Sequence, residues 1–137
     1  MKRSKDFEAI NQEYFESNLW KTKSGYMKII IVGASGKIGS KVVDALSGRH
    51  DIVRVGAHGG DVQCDYTDKQ SIKSMYKHIA QFDALISVAG GDSVFKPFQE
   101  LEDEDYKYGF ERKFLGQVRL VKYGMDCIRD NGSFTLS

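Results

Sequence analysis

The stretch Met27 to Gly39, MKIIIVGASGKIG, constrains the fold more than any other part of the chain. Ile29, Ile30, Ile31 and Val32 form an unbroken β-branched run, the pattern of a strand buried on both faces in a parallel sheet. Gly33, Gly36 and Gly39 follow, each three residues after the last. Glycines so placed predict a tight turn that feeds a helix. The start of such a helix offers unpaired N–H groups and the positive end of the helix dipole. A dinucleotide pyrophosphate suits that position, with Gly33, Ser35, Gly36, Lys37, Ile38 and Gly39 as the candidate residues around it. Ser35 adds a hydroxyl, and Lys37 a cation within reach of an anion.

The remaining pattern alternates. Lys37 to Ser47 reads as a helix, with Ile38, Val42, Val43, Ala45 and Leu46 on one broad face. Ile52 to Val55 and Asp61 to Cys64 read as the second and third strands. Only the glycine-rich segment Gly56 to Gly60 separates them, too short for a crossover helix of about a dozen residues. Either the connection is abbreviated or the third strand lies elsewhere. Thr67-Asp68-Lys69-Gln70 has the form of a capping box and opens a helix to about Gln81. Ala84 to Val88 reads as a fourth strand. The acidic run Glu100 to Asp105 suits the N-terminus of a long helix, about Asp103 to Arg129, better than it suits a metal site. Asn131-Gly132 predicts a turn, and Ser133 to Leu136 a fifth strand. The expected fold class is α/β, a Rossmann-type doubly wound and mostly parallel sheet, incomplete on its C-terminal side. Residues 27–137 would form this domain and residues 1–26 an N-terminal extension. Two readings of the extension stand: added sequence upstream of a natural start at Met27, or an arm or helix packed on the domain edge.

Composition narrows the partners. With 20 basic and 19 acidic residues the net charge is +1, which leaves no electrostatic footprint for nucleic acid or an anionic membrane. No apolar run approaches the roughly 18 residues of a membrane span, and the polar N-terminus does not resemble a signal peptide. Cys64 and Cys127 have no metal-like spacing and read as reduced thiols, so no metal is expected and a cytoplasmic location is.

In a dinucleotide fold the second strand ends at the ribose. An acid there favours NAD, and a basic residue favours NADP. Gly56, Ala57 and His58 occupy that place, so the residues favour NADP over NAD, with His58 and Lys37 as candidate phosphate partners. A solvent-exposed loop histidine is the other reading of His58.

Four blocks together resemble the short-chain dehydrogenase/reductase family, from about Met27 to the last residue. Val32 to Gly39 looks like its cofactor loop, in a variant close to the extended and atypical branches. Asp65 lies where the family places an aspartate near the adenine, which makes Asp65 and the following Tyr66 candidate cofactor contacts. Ser87-Val88-Ala89-Gly90 is similar to the family's N-N-A-G block, which makes Ala89 and Gly90 candidate cofactor contacts. Phe114-Leu115-Gly116 falls at the family's N-x-x-G. The resemblance implies an NAD(P)-dependent oxidoreductase that moves a hydride to or from a carbonyl or alcohol of a small molecule. It also implies a homo-oligomer formed through the helix 103–129.

The departures bear on catalysis. Lys113 replaces the family's helix asparagine, as an ammonium in the site or as a charge on a solvated face. None of the seven tyrosines has a lysine four residues later, so the family's Y-x-x-x-K pair is missing from these residues. The sequence thus reads as the cofactor half of such an enzyme, a fragment with Ser137 just short of the family's catalytic serine. A non-catalytic dinucleotide-binding or redox-sensing module and a non-functional remnant are the alternatives. Loss of later elements would uncover the long helix's apolar stripe, from which poor solubility or an unusual oligomer is expected.

Overall fold

The computed structural model describes residues 25–90 and 94–137. The helical spacing in the first 24 residues therefore lies outside the described residues. Five strands, all parallel, form one sheet in the order β3-β2-β1-β4-β5. They are β1 (Lys28–Val32), β2 (Asp51–Gly56), β3 (Val62–Gln63), β4 (Phe82–Ser87) and β5 (Ile128–Leu136). The helices are α1 (Lys37–Leu46), α2 (Lys69–Ile79), α3 (Asp103–Gly109) and α4 (Gly116–Gly124). A π-helical segment, Phe110–Leu115, joins α3 to α4.

The strand β1 is buried on both sides, as its composition requires. Ile30 and Val32 face a core shared with Ile72, Met75 and Tyr76 of α2 and Leu120 of α4. Ile29 and Ile31 face the other core, which Val43 of α1 completes. Helices on both faces of a parallel sheet make the domain doubly wound. The α2–α4 layer is fixed by Tyr76, whose hydroxyl donates to the Leu120 carbonyl at 2.6 Å. Its ring stacks on Phe82 at 5.6 Å, and Phe82 meets Phe134 of β5 edge-on at 5.9 Å. Such aromatic pairs contribute about 1 kcal/mol each beyond their buried area.

Of the two readings of the β2–β3 connection the abbreviated one holds: both strands are parallel with only residues 57–61 between them. Asp61 replaces the missing crossover as an anchor, because its carboxylate accepts from the Arg54 amide at 2.8 Å. Other expectations need correction. The cap of α2 is Asp68, not Thr67. Asp68 accepts from the Gln70 and Ser71 amides, while Thr67 turns back to Asp65. The fourth strand begins two residues earlier than expected, at Phe82, because Phe82 is core rather than loop.

The long helix is shorter and less regular than its spacing suggests. It starts as expected, with a capping box between Glu102 and Asp105, so the acidic run serves a helix start. It widens over Phe110–Leu115 and ends at Gly124. Ile128 and Arg129 belong to β5. Asn131-Gly132 is a bulge within that strand rather than a turn before it. Phe82 pairs with Ile128 and Ala84 with Ser133, and the excess residues are taken up where Asn131 adopts a φ of 64°. A side chain at Gly132 would stand 2.6 Å from the Asp83 carbonyl oxygen, so only glycine lets the bulge lie against β4.

Candidate functional site

The strand order reverses between β1 and β4, which opens a crevice at their carboxyl ends. Its floor is the glycine turn. Gly33 has a φ of 85° and donates to the Val55 carbonyl at 2.8 Å. A Cβ there would lie 2.8 Å from the Ala89 amide nitrogen, so the end of β4 closes directly on this glycine. At Gly39 a Cβ would come within 2.8 Å of the Gly33 carbonyl carbon and closer still to its oxygen. This glycine lets α1 press on the turn. Gly36 differs, because a Cβ would meet only the Gly33 oxygen, at 3.3 Å.

Gly36 is the N-cap of α1, with an extended backbone and no side chain capping the helix. No acid stands in the first turn. The amides that begin α1 therefore face the crevice as donors, with the positive helix end behind them. Ser35, Lys37 and Ile38 are exposed around them, Ile38 at 63% despite its apolar side chain. A bare backbone, open donors and an exposed apolar rim fit a diphosphate carrying flat rings on either side.

The crevice wall toward β2 and β3 holds His58 and Asp65. His58 lies exposed in the 57–61 loop. Asp65 follows β3 and accepts from the Thr67 amide at 2.9 Å and the Thr67 hydroxyl at 2.7 Å, both on Oδ1. These bonds, aided by the charges of Arg112 and His58, hold its carboxyl below the usual aspartate range. The Tyr66 ring lies against Gly116, where a Cβ would sit 2.5 Å from the ring.

The wall toward β4 and β5 holds Ala89, Gly90 and Lys113. Gly90 has a φ of 147°, and a Cβ there would lie 2.6 Å from Lys113 Nζ. Lys113 therefore reaches across the end of β4 rather than into solvent alone. Its ammonium donates to the Ser137 main-chain oxygen at 3.3 Å. Gln117, one turn later, donates to the Lys113 carbonyl and to the same Ser137 oxygen, each at 2.8 Å. A π-segment widens a helical turn, and here it sets Lys113 over the crevice. Beside it is a cavity of about 240 Å³, lined by Gly90, Val94, Leu101, Tyr106, Arg112 and Lys113 among others.

Arg112 and Gln117 were not among the residues that sequence reasoning selected. Arg112 sits four residues after Tyr108, with its guanidinium 5.1 Å from that ring. Gln117 is a polar residue only 5% exposed, one helical turn from Lys113. A polar residue on the buried stripe of a helix was the available signal. Among the described residues no three His, Cys, Asp or Glu side chains cluster as metal ligands, and no helix is long and apolar enough to cross a membrane.

No family model matches the chain. A curated relative, a hydroxynaphthalene reductase-like protein of Metarhizium brunneum, is 24% identical over 83% of this chain and 42% of its own. Among solved structures, the lin1944 protein of Listeria innocua is 40% identical, covering 79% of this chain and 54% of that one, with a TM-score of 0.75. A small-chain dehydrogenase in complex with NADPH is 25% identical over 80% of this chain and 49% of that one, with a TM-score of 0.70. The chain is similar in fold and in sequence to short-chain dehydrogenases/reductases. A further family structure, a short chain dehydrogenase from Leptospira borgpetersenii with bound NAD+, is 26% identical over 74% of this chain and 45% of that one, with a TM-score of 0.64. The chain thus spans about half the length of the solved structures it matches.

Proposed function

We propose that the chain binds a nicotinamide dinucleotide in this crevice, as the cofactor-binding part of a short-chain dehydrogenase/reductase-type oxidoreductase. The observation that carries the reading is the uncapped start of α1 above a bare glycine turn, placed where the strand order reverses. Gly33, Ser35, Gly36, Lys37, Ile38 and Gly39 would hold the pyrophosphate. Asp65 would accept from the adenine amino group, since only its Oδ1 is taken up by Thr67. Ala89 and Gly90 would leave room for the other half. Bound there, the cofactor supplies hydride transfer to or from a carbonyl or alcohol of a small-molecule substrate.

We favour NADP over NAD. No acid ends β2, and the carboxylate that follows in the loop, Asp61, is already held by the Arg54 amide and guanidinium, the latter at 3.6 Å. His58 and Lys37 are the cations available to a 2′-phosphate. The related structures carry both cofactor types, NADPH in one and NAD+ in another. We also infer a homo-oligomer through the outer face of α3, the π-segment and α4. There Phe110 and Phe114 stack at 4.8 Å while remaining 55% and 53% exposed. A cytoplasmic location suits the free thiols of Cys64 and Cys127.

A second reading, a dinucleotide-binding module without catalysis, is favoured by one feature. No tyrosine among the 137 residues is followed four positions later by lysine. Fluorescence titration with NADPH and NADH tests the shared premise. Saturable binding, tighter for NADPH, is expected, and failure to bind either would end both readings.

A further inference from the structure

We propose that Arg119 is a positioning residue for the adenine side of the crevice: from α4 it fixes Thr67, and through Thr67 it aims the Asp65 carboxylate. This rests on the dinucleotide reading above, in which Asp65 accepts from the adenine amino group. It adds the residue that sets how sharply that group is recognised.

The contacts form a chain of hydrogen bonds through one residue. Thr67 donates to Asp65 Oδ1 from its amide at 2.9 Å and from its hydroxyl at 2.7 Å. These two bonds are the main cause of the lowered Asp65 pKa, so the carboxylate stands where Thr67 puts it. The Thr67 carbonyl accepts from Arg119 Nη1 at 3.1 Å. All three polar groups of Thr67 are thereby engaged, two on Asp65 and one on α4. The main chain of Asp65 is held separately, since its amide donates to the Ser71 hydroxyl of α2 at 2.9 Å. Loss of Arg119 therefore leaves the backbone at Asp65 in place and frees the direction of its side chain.

Arg119 is itself held. The Tyr66 ring lies against Gly116, which brings the loop alongside the first turn of α4. The guanidinium also pairs with Glu111 of the π-segment, and the arginine side chain is 29% exposed. In a regular α-helix eight residues turn about 80° past two full turns, so Glu111 and Arg119 would diverge. The extra residue taken up by the π-turn reduces the offset to about 20°. The widened turn thus presents Glu111 to Arg119 as well as setting Lys113 over the crevice.

An arginine that only braced α4 against the loop would weaken every dinucleotide alike. One that aims Asp65 matters only for a base with an amino group to donate. The test is equilibrium titration of the full chain with NADPH and with its hypoxanthine analogue, in which oxygen replaces the adenine amino group. A hydrogen bond to a charged acceptor corresponds to about tenfold in affinity, so the unaltered chain is expected to bind NADPH about tenfold more tightly than the analogue. In Arg119→Met the ratio should fall to about threefold or less through weaker NADPH binding, with the analogue little changed. Arg119→Lys keeps a donor for the Thr67 carbonyl and should restore most of the ratio. A ratio unchanged in Arg119→Met, or an equal loss for both ligands, would overturn the proposal. Should Arg119→Met not fold, Glu111→Gln takes its place by removing the arginine's ionic partner: a lower ratio is expected, and an unchanged one overturns the proposal. A ratio near one in the unaltered chain would take Asp65 away from the adenine and end this inference while dinucleotide binding stands. Failure to bind either ligand would end the dinucleotide reading as well.

Discussion

Replacing Gly36 by alanine should separate ligand binding from stability, because Gly36 is the one glycine of the turn whose missing side chain the protein itself does not need. Its backbone is at φ −71° and ψ 172°, which any residue adopts. A Cβ there meets one atom, the Gly33 oxygen at 3.3 Å, and a shift of a few tenths of an ångström relieves it. The remaining cost is that of alanine for glycine at an N-cap, about 1 kcal/mol. For a domain of this size that lowers Tm by about 3–4 °C. The added methyl faces the crevice, however, where a diphosphate must approach the first amides of α1. Loss of close approach should weaken NADPH and NADH at least about tenfold, or about 1.4 kcal/mol. Gly39→Ala should do the reverse. Its methyl would collide with the Gly33 carbonyl, backbone against backbone, so α1 must move or detach. The cost is about 3 kcal/mol or more, a large share of a typical stability of about 5–15 kcal/mol. Thermal melts and cofactor titrations of the two variants provide the assay. A Gly36→Ala protein that binds both cofactors within twofold of the unaltered chain would refute the location of the site. A Gly39→Ala protein with unchanged Tm would refute the packing argument.

Asp68→Ala should destabilise by about 1 kcal/mol through loss of the α2 cap, and Thr67→Ala by less, a ranking that urea melts can check. Asp65 has a depressed pKa in the folded state, so its contribution to stability is complete above about pH 5 and is lost as pH falls through its folded value. Asp65→Asn should therefore flatten the acid limb of the stability curve below about pH 4; an unaltered limb would show that the Thr67 bonds do not act on folding. The Cys64 thiol is buried and burial pushes its pKa up, whereas Cys127 is only partly covered. Iodoacetamide should label Cys127 first in the native protein, as mass spectrometry of timed quenches would show.

The core of the fold was legible because its strongest elements are local. An unbroken Ile-Ile-Ile-Val run has no good solution except burial on both faces, and the apolar spacing of α1 and α2 follows from the same periodicity. The errors fall where tertiary contacts outweigh local pattern. The spacing through Met125 and Ile128 continues a helical period, yet Ile128 pairs with Phe82 because β5 must flank β4. Asn131-Gly132 has the chemistry of a turn and is used as one, but inside a strand. Thr67 and Asp68 are both good caps, and local sequence does not decide between them. Thr67 is drawn away by Asp65, whose carboxylate accepts from both the Thr67 amide and the Thr67 hydroxyl.

The site divides along the same line. The part at the start of α1 is built from backbone, and backbone geometry demands glycine at fixed positions, so the demand is written into the sequence. Gly33 and Gly39 are required by the protein's own packing; Gly36 is not, and that surplus bareness is the feature within the turn that points to a ligand. The part facing β4 and β5 is built from side chains that arrive from a distant helix. Lys113 reaches Gly90 across 23 positions of sequence, and its direction depends on a widened turn that no local pattern announces. The resemblance singles out Lys113 at the family's asparagine position, but the local pattern leaves it between a site ammonium and a solvated charge until the helix is laid over the sheet. The backbone half of such a crevice can therefore be recognised from spacing alone. The side-chain half requires the fold.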